Sequence, residues 1–189
     1  MNTNRYAIAV FATLLASVSV ATIAGQSQSK EIRTVEVDDV VPAGGVPELF
    51  KAAQIVVRGR VLGSRQTAWK HPAVSEVIPQ IEHRIRIVEV FKGDAGQLQG
   101  KEVTVEQEAG EAENAGRIYR VEGVKALQTG EVYVLFLEKS ADSDSYVLKG
   151  GTSAAYLLSN GRATPQKRSA LQAGTEAELI RLLRSSGAR

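Results

Sequence analysis

Two histidines, His71 and His83, are the only imidazoles in this 189-residue chain, and it holds no cysteine. Imidazole and thiolate do most metal binding and proton transfer near neutral pH. Their scarcity narrows the chemistry at once. The histidines are spaced too widely for the helical i, i+4 pair of a metal site and lack a converging third ligand. They read as a loop residue and a strand-end residue. Gly151-Thr152-Ser153-Ala154-Ala155 resembles a nucleophile elbow, but Ala155 stands where a second Gly is needed and another strand follows. Asp142-Ser143-Asp144-Ser145 has the opening spacing of a calcium loop, yet Ser153 stands where the bidentate Glu belongs. No glycine pattern fits a phosphate loop or a dinucleotide. No catalytic residue, metal ligand or cofactor is therefore assigned.

Charged and aromatic side chains leave more to work with. Glu106, Glu108, Glu111 and Glu113 crowd one acidic segment, which reads as a solvated loop. Paired carboxylates there would suit glycoside hydrolysis, but nothing orders them as acid and nucleophile. Arg58, Arg60, Arg84 and Arg86 form a basic stripe with no interleaved aromatics, which argues against nucleic acid. The strongest candidate is the connection Gly63–Gln80, read as a long loop. It carries the only Trp, Trp69, with Arg65, Lys70 and His71 beside it. Trp and Arg are favoured interface anchors, and long loops in compact domains are often functional. The competing reading is that Trp69 lids one end of the core.

These residues need a scaffold, and the chain begins with an address. Arg5 precedes an uncharged apolar run from Tyr6 to Ala24 that closes on small residues, Ser19-Val20-Ala21 and Thr22-Ile23-Ala24. That is the pattern of a secretory signal peptide, expected over residues 1–24. Uncleaved, the run would be a weak membrane anchor. Residues 25–46 read as an extension or linker in which Glu31–Val41 alternates weakly, enough for a docking strand. The body is expected over residues 47–189; the whole chain has 23 Lys and Arg against 21 Asp and Glu, so charge names no partner. Export without cysteine suits a secreted or periplasmic bacterial protein.

Within the body, Pro47–Ala53 reads as a short helix. From Gln54 the hydrophobic period is two. Glu82–Phe91 alternates, then slips by one at Val88, which predicts a bulge. Glu131–Lys139 is apolar on both faces and belongs at the centre of a sheet. Asn160-Gly161 predicts a tight hairpin. Thr175 with Glu178 forms a capping box that opens a helix bearing Leu179, Ile180, Leu182 and Leu183. The fold expected is mainly β: a small antiparallel barrel of about seven short strands, with a short N-terminal helix and a C-terminal helix.

Four stretches strengthen this: Ala53–Val61, Val88–Asp94 with its Phe91-Lys92-Gly93, Arg120–Gly123, and Gly130–Leu137. Their order resembles that of uncharacterised bacterial secreted proteins and the strand pattern of netrin/TIMP-like barrels of the OB type. The resemblance implies fold, not activity. Metalloprotease inhibitors of that wider fold act through an N-terminal cysteine, and this chain has none. The functional expectation is an exported, non-enzymatic binding module of the envelope or extracellular space, without nucleic acid, whose partner is an extracellular or envelope protein. The alternatives are a secreted hydrolase using carboxylates or Ser153, and a protease-inhibitor-like barrel.

Overall fold

The computed structural model describes residues 30–35, 45–70, 77–166 and 174–187. The leader, most of the extension and His71 lie outside the described residues. Alternation of β-branched residues with polar ones drives most of the chain into strands. The order is β1 (Ile32–Val35), α1 (Gly45–Ala52), β2 (Ile55–Lys70), β3 (Val77–Lys92), α2 (Ala95–Leu98), β4 (Glu102–Glu108), β5 (Gly110–Asn114), β6 (Arg117–Val121), β7 (Val132–Lys139) and β8 (Tyr146–Leu148). A 3-10 turn (Gly151–Ala154) precedes β9 (Ala155–Ser159), β10 (Arg162–Pro165), β11 (Gly174–Thr175) and α3 (Glu176–Gly187).

The main sheet has eight strands in the order β11-β10-β9-β7-β2-β3-β4-β8, and β8 also pairs with β7. Pairing thus runs from β7 through β2, β3, β4 and β8 back to β7. Within that circuit only β4 with β8 is parallel. β7 is the centre, paired with β2, β8 and β9, and its residues Tyr133–Leu137 are all buried. The core gathers Val56, Val57, Ile85, Ile87, Val105, Phe136 and Tyr156 with Leu49 and Phe50 of α1 and Leu179 and Leu183 of α3. Two strands approach closely at Gly59, where an added Cβ would sit 2.4 Å from Ile85 Cγ2.

The expectation of about seven short strands is corrected. The described residues hold eleven, and β2 and β3 are 16 residues each. The supposed loop Gly63–Gln80 is mostly the far half of the β2–β3 hairpin, paired from Gly63–Arg84 to Lys70–Val77. Its sequence lacks clean alternation because it projects past the main core. The predicted phase slip at Val88 is a bulge, since register shifts between Arg58–Glu89 and Gly59–Ile87. Shifts at Phe91 and Leu62 coil the ribbon further.

The acidic stretch read as a solvated loop is also strand. β5 joins β6 antiparallel, and β1 adds to β6 in parallel. Glu111 pairs with Arg120, and Glu113 with Lys30. This small sheet packs on the far half of the hairpin around Val77, Ala109, Tyr119 and Val121. Contact is close: Gly110 has φ 83°, and a Cβ there would lie 2.5 Å from Gln66 Oε1.

Local signals elsewhere match. Thr175 Oγ1 accepts from the Glu178 amide at 3.2 Å, and Glu178 Oε2 accepts from the Thr175 amide at 2.9 Å. Asn160 (φ 52°) and Gly161 (φ 73°) turn β9 into β10. Three carbonyls at the end of α1, two in its last turn and one just beyond it, find one donor. Lys92 Nζ reaches the oxygens of Phe50 at 2.8 Å, Lys51 at 2.9 Å and Ala53 at 2.6 Å, over the Phe50 ring.

Candidate functional site

Cross-strand pairing sets the side chains of β2, β3 and β4 in rows on the outer face. Arg65, Glu82 and Glu106 form one row; Gly63, Arg84 and Thr104 form the next; Arg86 and Glu102 follow. Gly63 leaves open space where a side chain would stand. A cavity of about 390 Å³ opens there, lined by Gly63, Ser64, Arg65, Glu82, Arg84 and Thr104. A second cavity, about 260 Å³, lies toward β8 and the 3-10 turn, with Glu106, Glu108, Val147, Leu148 and Thr152 among its lining. Glu82 and Glu106 are direct cross-strand partners, and each lines one of the two cavities.

The charges on this face are paired. Arg65 holds Glu82 at 2.6 Å, and Glu102 takes Arg84 at 3.5 Å and Arg86 at 2.5 Å. Glu106 Oε1 accepts from Ser143 Oγ at 2.9 Å and Ser145 Oγ at 2.5 Å. The serines thus tie the β7–β8 connection to β4. Exposed pairs of this kind add at most about 1 kcal/mol of stability each. Their effect is to present alternating charge across a polar surface.

The four binding candidates from the sequence divide. Arg65 and Trp69 are four residues apart on β2 and share the outer face, with Trp69 half-buried opposite Ile78. Lys70 is exposed opposite Val77, one residue further and so on the other face. His71 lies outside the described residues. Ser153 is buried, and no partner reaches its Oγ among the described residues, so no base is in place to activate it. Tyr156 is buried likewise, which pushes its hydroxyl pKa upward. Asp144 pairs with Lys139, which lowers its pKa. Among the described residues no three His, Asp or Glu side chains gather to hold a metal ion.

The sequence reading missed a polar chain on the inner face. Ser64 and His83 are direct cross-strand partners, and Ser64 Oγ lies 2.7 Å from His83 Nδ1. His83 is fully buried, and its Nε2 lies 3.0 Å from Gln107 Oε1. Gln107 is itself fixed. Its Nε2 donates to the Lys125 carbonyl at 2.9 Å, and its Oε1 accepts from the Leu127 amide at 3.1 Å. Gln107 therefore presents an acceptor, and His83 must carry its proton on Nε2. Nδ1 is left as the acceptor, and Ser64 donates to it. Burial lowers the pKa of His83 and keeps the ring neutral. The sequence held one signal: His83 continues the phase of Ile85 and Ile87, and Gln107 that of Val103 and Val105. Two polar residues in core-facing phase call for partners.

Among the described residues no helix is long and apolar enough to cross a membrane. No protein-family model matches the chain, and no curated protein matches it significantly.

Proposed function

We propose that the chain is an exported binding module of the cell envelope or extracellular space, using the outer face of β2, β3 and β4 to hold a protein partner. The observation that carries this reading is the polar face itself: two adjoining cavities, alternating charge and Arg65 in line with Trp69. Large rigid rings and guanidinium groups are the usual anchors of an interface. The polar rows around them would set register rather than supply most of the affinity.

The scaffold reading goes with it. The five-strand circuit, with its parallel β4–β8 pair, supports a small OB-type barrel, whose strand 2 and strand 3 face and flanking loops serve as the ligand surface. In that reading β3 and β4 are the face, and the β7–β8 connection is a wall beside it. The apolar leader at residues 6–24 supports export.

Crosslinking and pull-down from the native envelope and secreted fractions tests this. Wild type is expected to enrich a partner that Trp69→Ala and Arg65→Ala lose, each by at least about tenfold. Identical partner sets for all three proteins would reject the reading.

A further inference from the structure

We propose that Ser64 is a nucleophile activated by His83, able to take an acyl group from an activated ester or thioester. This goes beyond the binding reading and does not depend on it. It rests on the Ser64–His83–Gln107 chain and would stand if the outer face held no protein partner.

A serine hydroxyl attacks poorly unless a neighbouring base accepts its proton as the new bond forms. Such a base must have a free lone pair aimed at the hydroxyl and must be held there by a third group. Here Ser64 Oγ is 2.7 Å from Nδ1, and Gln107, locked by the Lys125 carbonyl and the Leu127 amide, forces the tautomer that leaves Nδ1 unprotonated. Exposure is asymmetric. His83 is sealed from solvent, whereas Ser64 is exposed and lines the cavity of about 390 Å³. Water therefore competes little for the base, while an acyl donor has access to the serine.

The third group also defines the substrate class. Gln107 is neutral, so no carboxylate offsets the imidazolium that forms during attack. The barrier falls enough only when the leaving group is weakly basic, as in an aryl ester or thioester. The step balances as follows. Ser64 Oγ bonds to the carbonyl carbon, its proton moves to Nδ1, and the carbonyl pair moves onto oxygen. Collapse re-forms the carbonyl and breaks the bond to the leaving oxygen or sulfur. That group takes the proton from Nδ1 and departs as alcohol or thiol, leaving an acyl-serine.

The test uses the full chain and p-nitrophenyl acetate, with nitrophenolate release followed by absorbance and acetylation located by peptide mass spectrometry. Acetyl is expected on Ser64 and absent in Ser64→Ala. His83→Gln should slow the release by about 100-fold or more. Gln107→Glu should speed it, because a carboxylate beside Nε2 supports the imidazolium. The wild-type rate should rise as His83 deprotonates and then level off. No acetyl on Ser64 in folded wild type, or an unchanged rate in folded His83→Gln, would overturn the proposal. If His83→Gln does not fold, the wild-type profile decides: a rate that climbs with hydroxide and never levels would also overturn it.

Discussion

Folding moves His83 from water to a site where both ring nitrogens meet neutral groups, Ser64 and Gln107. Burial lowers its pKa from 6.5, so below that pH the unfolded chain binds a proton that the folded chain refuses. Stability should therefore decline as pH falls through about 6.5, and the decline ends once the folded pKa is passed. Glu31, Asp144 and Glu178 are carboxyls, whose ordinary range already lies below that of imidazole, and each is lowered further. The Arg33 guanidinium, the Lys139 ammonium and the Thr175 amide, respectively, hold their carboxyls below the usual range. Their contributions disappear only in more acidic solution, which separates the two effects. Urea melts at about pH 7.5 and about pH 5.5 should show a loss in wild type that His83→Gln lacks, after allowing for that variant's lower starting stability. An equal loss in both would assign the acid sensitivity elsewhere.

At the scale of elements, α1 depends on a residue far along the chain. A helix of eight residues has little stability of its own. Leu49 and Phe50 pack it on the core, and the Lys92 ammonium collects its last carbonyls. Lys92 stands at the end of β3, so the clamp ties the helix to the sheet. Lys92→Met keeps the apolar stem but removes three charge-assisted hydrogen bonds, and should cost about 2 kcal/mol in urea unfolding. Amide exchange in α1 should accelerate more than in β7. Lys92→Arg should recover only part of the loss, since a planar fork does not converge on three carbonyls. The same clamp accounts for the Phe91-Lys92-Gly93 stretch without any role in binding: it gives the lysine a structural purpose.

The whole molecule has unequal cores. The main one draws on the eight-stranded sheet, α1 and α3. The small sheet β1, β6 and β5 rests on Val77, Ala109, Tyr119 and Val121, and Ile32 of β1 is half-exposed. Apolar burial sets the free energy of local opening, so the small sheet should open first. Native-state hydrogen exchange should find amides of Arg117–Val121 exchanging through a sub-global opening while those of Tyr133–Leu137 need global unfolding. Equal protection in both would mean a single cooperative unit. The proposed nucleophile borders the proposed face on the same β2–β3 ribbon: Ser64 lines the cavity it shares with Arg65, Glu82 and Arg84, while its hydroxyl meets the buried His83.

Where local chemistry decides, the sequence was sufficient. The Val88 bulge, the Asn160-Gly161 hairpin, the Thr175–Glu178 capping box and the buried centre at β7 all follow from patterns a few residues long. The far half of the β2–β3 hairpin did not, because a ribbon covered by a small sheet and solvent has no sustained apolar face to read. That one misreading hid the polar chain. Ser64, His83 and Gln107 are remote in sequence, and only hairpin register sets the first two opposite each other and the third on the next strand. Amino-acid types by themselves determined which residues had to be buried and where the chain had to turn. Which polar groups then met, and with which proton on which nitrogen, was decided by tertiary structure, because a hydrogen bond needs partners within about 3 Å and pattern carries no such distance.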